Sequence, residues 1–573
     1  MVHTPRFTRR NVIKGSLAAT LGVIFAPAPV RASTPLMGFT PVPLSAGKGK
    51  MPMISPDYEY QVLIPWGSPL QPDGPQFNYP PRAEDQLQQI GIGHDGMAFF
   101  PLGERRGVLA LNHEFGKNLH VLGRKDPENH HHVLTSQAAH GMSIVEIAEQ
   151  NGQWTQQKSR YARRIHINTK VRFSGPAAGD DLLKNEADNA CKGTMSNCAN
   201  GRTPWGTYLT CEENFNLQFG ATGQFESNAA QLRYDILGSG GEYGWHLFDP
   251  RFDLSDPGYT NESNRFGWVV EIDPLDPEFT PVKRTALGRF KHEGVAIVEA
   301  SDGRILAYMG DDSTDEFIYR YASAAPWREM MAAGTHPLDE GHLSVARFDQ
   351  DGTGEWLPLE ALFTDQQFNG PADVLVHARL AGTVLGATPM DRPEWITPGT
   401  EGFVYCAMTN NEFRTQSNAA NPLAPNPHGH IIRFHDQPVP HGSTQRFTWE
   451  VFISCAAYYE KETTLSSPDG LWADPDGRLF VETDGEQRDG MNNQLLVVDT
   501  VTREIRRLLT GVPGCEITGI TTTPDRRTMF VNIQHPGKGD PSLTNFPHAV
   551  DNRTVPRDCT LAIRRKDGGI VGS

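Results

Sequence analysis

Hydrophobic and polar residues alternate in short runs along this chain, and turn residues bound the runs. Gly267 to Ile272 ends at Asp273-Pro274, and Ile305 to Met309 follows Ser301-Asp302-Gly303-Arg304. Leu479 to Glu482 follows Asp474-Pro475-Asp476-Gly477-Arg478, and Thr528 to Ile533 follows Thr523-Pro524-Asp525-Arg526-Arg527. Alternation bounded by Asp-Gly or Pro-Asp turns predicts strands paired as hairpins, the unit from which propeller blades are built. The repeats are degenerate and give no clean blade count. The reading is an all-β propeller body with long loop insertions, with a pair of β-sandwiches as the structural alternative. Few windows hold a helical period; Ala325 to Ala332 and part of Ser136 to Glu149 are expected as decorating helices.

The 573 residues would ordinarily suggest several domains. The 56 Gly and 43 Pro are spread throughout, and no long low-complexity linker interrupts the chain, so a single β-domain is expected over 33–573. Ahead of it, Thr8-Arg9-Arg10-Asn11-Val12-Ile13-Lys14 precedes a mildly apolar run from Gly15 to Phe25 and a Pro/Ala stretch ending at Ala32. That is a twin-arginine export signal over 1–32, with cleavage expected before Ser33 and a periplasmic or secreted destination. The apolar run falls short of the ~20 residues a spanning helix needs, so no stable membrane span is expected. Proteins exported this way cross already folded, commonly with a cofactor inserted.

The formal charge is -16, and the leader holds five basic and no acidic residues, so its removal leaves -21. An acidic surface argues against nucleic acid as the main partner and fits one that holds cations, though it also serves solubility. Seven cysteines are too few for a disulfide framework. Cys191 with Cys198 or Cys211 is the local pairing to consider, and no Cys-x-x-Cys occurs.

Four segments carry the residue types of a metal site: Asn197-Cys198, Phe290-Lys291-His292-Glu293-Gly294, Asp391-Arg392-Pro393-Glu394-Trp395 and Val481-Glu482-Thr483-Asp484-Gly485. Hard cations collect carboxylates, a softer transition metal accepts a thiolate, and Arg offers a planar fork to phosphate. Read alone, each has a plainer meaning: Cys198 a buried inert thiol or disulfide partner, Glu293 a surface strand end, Arg392 and Glu394 a solvated pair. Alternation at Glu212-Glu213 would point only one carboxylate inward, and the pattern does not say which. Asp311-Asp312 is equally ambiguous and is left outside the site. Asp469, Asp474 and Asp476 read as turn formers. His130-His131-His132 reads as a solvated loop, and His113 and His535 as structural at best. No Gly-x-Ser-x-Gly elbow, His-Glu-x-x-His helix or P-loop occurs, which removes support from serine-hydrolase, zincin and nucleotide-hydrolase readings.

The run Asn197-Cys198-Ala199-Asn200-Gly201-Arg202-Thr203-Pro204-Trp205-Gly206-Thr207-Tyr208-Leu209-Thr210-Cys211-Glu212-Glu213-Asn214 resembles the signature of the PhoX family of alkaline phosphatases. The likeness continues through Leu287 to Glu293, Tyr308 to Asp312, Met390 to Trp395, Ser467 to Trp472 and Phe530 to Gly537, in the family's order. The resemblance implies a six-bladed propeller and a cofactor of two Fe3+ and three Ca2+ ions bridged by an oxo group. It implies Cys198 as the iron-ligating thiolate, Glu293, Glu394 and Asp484 as metal ligands, with Glu212 and Glu213 both retained as candidates, and Arg392 as the phosphate-binding group. The implied activity is hydrolysis of small phosphomonoesters by a monomeric enzyme that meets the twin-arginine machinery on its way out. The alternatives are a calcium-dependent propeller lactonase, which needs neither a thiolate nor Arg392, and a non-catalytic exported binding propeller, which would bind no stoichiometric iron and cleave nothing.

Overall fold

The computed structural model describes residues 36–437, 445–548 and 555–573; the twin-arginine leader expected over 1–32 lies outside the described residues. Strands dominate, and they form where the alternating runs predict: Val269–Ile272, Ile305–Asp311, Arg478–Thr483 and Met529–Gln534. The Asp-containing turns before them act locally. Asp474 Oδ1 accepts from the Asp476 and Arg478 amides at 2.9 Å each, and Gly477 takes the left-handed conformation at φ +94°.

The strands assemble as antiparallel meanders in chain order. The first comprises His94–Gly103, Arg106–His113, Gly141–Gln150 and Gln153–Gln157; the second Asn197–Arg202, Tyr208–Glu212, Val269–Ile272 and Val282–Arg284. The third runs from His292–Glu299 to Thr353–Pro358, and the fourth from Pro393–Pro398 to Arg446–Ser454. Their outer strands pair, with Thr353 opposite Thr448 and Glu355 opposite Arg446, so these two form one nine-stranded sheet. The fifth runs from Pro468–Ala473 to Ile505–Thr510, and the sixth comprises Glu516–Thr522, Met529–Gln534 and Cys559–Arg565. The early strand Tyr58–Leu63 completes the sixth, its Tyr58 opposite Arg565, so the two ends of the folded chain are tied together.

Apolar faces join consecutive meanders. Phe100 and Val108 of the first pack with Tyr208 and Ile272 of the second, and Leu209 and Val269 with Val295 and Ala307 of the third. Tyr308 and Trp356 meet Phe434 and Phe447 of the fourth; Tyr405 and Ile431 meet Leu479 and Leu496 of the fifth; Phe480 and Val497 meet Ile517 and Val531 of the sixth. Phe530 and Ala562 return to Phe99 and Leu109 of the first. Sheets that are apolar on both faces exclude water from every interface, which is the main driving force for this arrangement.

One expected helix forms at Trp327–Ala333, closed by Gly334 at φ +80°. The patch Ser136 to Glu149 divides instead. A helix spans His130–Ala139 and a strand Gly141–Gln150, so the His130-His131-His132 tract is a first helical turn rather than a loop. Asn129 nucleates it, its side chain accepting from the His132 amide at 2.9 Å.

Candidate metal centre

The same register position in successive meanders faces one cavity. In the first two strands of each meander, the facing pairs His94–His113, Asn197–Glu212, His292–Asp311, Pro393–Met408 and Pro468–Thr483 sit at one end. One residue beyond each first member comes Asp95, Cys198, Glu293, Glu394 and Asp469. One beyond the second members come Glu114, Glu213, Asp312 and Asp484. The sixth meander contributes Glu516 and His535 from its Glu516–Gln534 pair. Each inner pair carries a register shift at or near this point. A bulge there turns the side chain out of the ladder. Glycine lets neighbouring inner strands come close: a Cβ at Gly96 would lie 2.7 Å from the Cys198 carbonyl oxygen.

The cavity encloses about 180 Å³. Cys198 Sγ lies 3.0 Å from Glu293 Oε1. Ligand-type atoms fall into four groups, each with all atoms within 4.8 Å of one another: Asp95, Glu114 and Cys198; Cys198, Glu213 and Glu293; Glu293, Glu394 and Asp469; and Asp484, Glu516 and His535. Shared Cys198 and Glu293 chain the first three together. Gln534 Nε2 donates to Asp95 Oδ2 at 3.0 Å and Glu114 Oε2 at 3.2 Å, and Asn214 Nδ2 donates to Glu213 Oε2 at 2.6 Å.

Burial and mutual repulsion push these groups toward their neutral forms. Burial, then the neighbouring Glu394 and Glu213, drives the Glu293 carboxyl well above its usual range. Burial, then Asp95 and Glu293, drives up the Cys198 thiol. Asp95 is raised to about 6 and Glu114 to about 7, burial being the first cause in both. Asp312 and Asp484 are the exceptions: burial raises each, but the Arg392 guanidinium beside Asp312 and the Lys538 ammonium beside Asp484 outweigh it and hold both below the usual range. Among the described residues, the cationic side chains lining the cavity are Arg392 and Lys538, whose Nζ is 3.9 Å from Asp484 Oδ2.

Arg392 is held rigidly. Its Nε and Nη2 each reach Asp312 at 2.8 Å, and Nη2 also lies 3.0 Å from Glu394 Oε1, an ion-pair distance without hydrogen-bond alignment. Its backbone sits at φ +58°, a strained conformation for arginine. The guanidinium fork is therefore spent on Asp312, and Nη1 is what remains for an anion.

Of the residues expected from sequence, Cys198, Glu213, Glu293, Arg392, Glu394 and Asp484 line this cavity together. Glu212 does not. It turns to the opposite side, pairs with the fully buried Lys283 at 2.7 Å, and accepts from the Gly267 and Trp268 amides. Asp469, expected as a turn former, is in the cavity wall, whereas Asp474 and Asp476 do shape their turn. Of the Asp311-Asp312 pair, Asp311 binds Arg379 away from the cavity and Asp312 faces it. His535, expected as structural, lines the cavity with Nε2 at 3.2 Å from Glu516, while His113 is structural, bonded to Ser143 and the Gly91 amide. No disulfide forms: all seven cysteines are free, Cys191 and Cys211 included.

The family model for the alkaline phosphatase PhoX matches residues 37–537. Among solved structures, Pseudomonas fluorescens PhoX in complex with vanadate, a transition state analogue, is 42% identical, with a TM-score of 0.86 over 94% of this chain and 99% of that one. A protein of unknown function from Dyadobacter fermentans (11% identity, 89% of this chain and 100% of that one) and a Xanthomonas campestris gluconolactonase (11%, 84% and 99%) reach TM-scores of only 0.35 and 0.26, too low to carry an argument. No curated protein matches. The lactonase and non-catalytic readings accordingly give way. With a family model matched over most of its length and a PhoX structure so similar along the whole fold, the chain is a phosphoric monoester hydrolase and belongs to the PhoX family of alkaline phosphatases.

Proposed function

We propose that this phosphatase is a six-bladed propeller over residues 33–573 whose central cavity holds two Fe3+ and three Ca2+ ions and hydrolyses phosphomonoesters by in-line attack. Six meanders whose apolar faces meet in a closed cycle, with the early strand Tyr58–Leu63 completing the last, support the propeller.

The observation that carries the metal reading is uncompensated charge. Asp95, Glu114, Glu213, Glu293, Asp312, Glu394, Asp469, Asp484 and Glu516 converge on a space where, among the described residues, only Arg392 and Lys538 line the wall to balance them. Glu394 Oε1 and Asp469 Oδ1 are buried without a hydrogen-bond partner. So many buried carboxylates are tolerable only when protonated or bound to cations. The donor set fits the mixed cofactor: oxygens for calcium, with Cys198 adding a thiolate that selects iron over calcium. Cys198, Glu213, Glu293 and Glu394 would hold the deep ions, and Asp484 with Glu516 would hold one nearer the opening. When bound, such a cluster supplies concentrated positive charge that neutralises phosphate oxygens and activates an oxygen nucleophile.

The chain's own residues then position the ester. Asp312 fixes the Arg392 plane and leaves Nη1 as the donor that would take a non-bridging phosphate oxygen, already oriented before substrate arrives. Lys538, 39% exposed at its side chain, is the second cation within reach of the phosphoryl group. The Cys198 thiol proton and the carboxyl protons must leave as cations enter, so loading releases protons.

The proposed route is twin-arginine export to the periplasm or beyond, as a monomer with no nucleic-acid partner. Two observations support a chain that folds before crossing: no helix among the described residues is long and apolar enough to span a membrane, and no disulfide requires an oxidising compartment. The test of the cluster is direct. Cys198→Ala and Glu293→Ala should lose iron and phosphate release together; full activity with normal metal content in either variant would sink the assignment.

A further inference from the structure

Every side chain lining the cavity ends in a charged, polar or sulfur group except Phe115. Its position is built into the fold. The Glu114 amide donates to the Gly93 carbonyl at 2.8 Å, and Gly93, at φ +68°, has no room for a Cβ because the Phe115 backbone lies on it. One side of the ring packs on the aromatic cluster of the second meander's insertion, edge-on to Tyr243 with centroids 6.4 Å apart. At the cavity, the ring meets His535 edge-on at 5.9 Å, and Lys538 Nζ lies 5.2 Å from its centroid. Phe115 therefore stands beside the residues at the opening, where Asp484 and Lys538 keep 33% and 39% of their side chains exposed.

A cavity of about 180 Å³ is smaller than the roughly 300–1,000 Å³ that encloses a drug-sized ligand. Bound cations and a phosphoryl group would fill it, which would leave the esterified group at the opening, against Phe115 and the Lys538 stem. We propose that Phe115 is a specificity-determining residue that contacts the leaving group and favours phosphomonoesters of planar, aromatic alcohols over those of small polyols. The proposal rests on the phosphatase assignment of this cavity. Its physical basis is that a ring stacked or edge-on against Phe115 gains dispersion and quadrupole contacts that a glycerol moiety cannot make.

The experiment compares kcat/KM of the metal-loaded enzyme for p-nitrophenyl phosphate and glycerol 2-phosphate in wild type, Phe115→Ala, Phe115→Leu and Phe115→Tyr. The aryl-to-glycerol ratio should fall about three- to tenfold in Phe115→Ala, from the magnitude of aromatic pair contacts. It should fall part of the way in Phe115→Leu, which keeps the packing bulk, and return to wild type in Phe115→Tyr, which keeps the ring. A ratio unchanged in both Phe115→Ala and Phe115→Leu, with both esters slowed equally, would overturn the proposal by showing a packing role alone. If the Ala variant does not fold, the Leu and Tyr ratios decide. Absence of phosphate release from both esters in wild type would be a different failure, that of the phosphatase assignment itself.

Discussion

Glu212 and Glu213 are neighbours that the fold sends to opposite sides, so replacing each with its neutral amide separates an ion pair from a proposed metal ligand. In Glu212→Gln, the Lys283 ammonium remains at 0% side-chain exposure without a counter-charge. Breaking a buried pair costs about 3–5 kcal/mol. The retained amide oxygen can still accept from the Gly267 and Trp268 amides, which places the cost near the lower end, about 3 kcal/mol. Metal content should be unaffected. Glu213→Gln works in reverse. Burial, then Glu114 and Asp312, pushes the Glu213 carboxyl well above its usual range, so neutralising it leaves metal-free stability equal or higher while cation binding weakens. Denaturant unfolding of chelator-stripped protein measures the first effect, and plasma mass spectrometry of loaded protein the second. A Glu213→Gln protein with its full metal complement, or a Glu212→Gln protein that loses metal at unchanged stability, would refute the division of roles.

Asp312→Asn should lower kcat/KM about 10- to 100-fold by loosening Arg392, the usual cost of losing a partner that orients a site residue; unchanged steady-state kinetics would show that Arg392 holds its place without it. Gly96→Ala should destabilise the protein by about 1–3 kcal/mol and reduce iron, because the new methyl forces the Asp95 and Cys198 strands apart; normal stability and iron would contradict that close contact. Between about pH 4 and 7 the metal-free protein should lose more stability, or gain less, than its metal-free Asp95→Asn and Glu114→Gln variants. Asp95 and Glu114, raised to about 6 and about 7 from 3.8 and 4.5, keep protons in the folded state that the unfolded chain has already released. Each contributes a slope of about 1.4 kcal/mol per pH unit between its two values. Thermal melts of the three metal-free proteins across this range check it, and variants whose stability changes with pH just as the wild type's does would refute it.

The strands were legible because Asp-Gly and Pro-Asp turns and alternation are local signals, which is why Arg478–Thr483 and Met529–Gln534 form within a residue or two of expectation. The cavity was legible mainly through family likeness at Cys198, Glu293, Arg392, Glu394 and Asp484. Asp95, Glu114, Asp312 and Glu516 escaped because their shared feature is a register position, visible only once the meanders are paired. A weak signal existed in Asp95-Gly96, Glu293-Gly294 and Asp469-Gly470, where glycine follows an inward acid. Asp469 was misread because it heads an Asp-rich stretch whose next members do shape a turn. Alternation could not choose between Glu212 and Glu213, since the register shift between Thr210 and Glu212 breaks the two-residue period there. His130 to His132 look solvated by composition, but the cap that makes them helical is Asn129.

The central claim is that this cavity works through bound cations. Its most direct test is metal content by plasma mass spectrometry on protein expressed from the full chain, paired with p-nitrophenyl phosphate turnover before and after calcium chelation. The account predicts iron near two and calcium near three per chain, with turnover that falls on chelation and returns with calcium. Phosphate release that persists in protein carrying neither metal would contradict it.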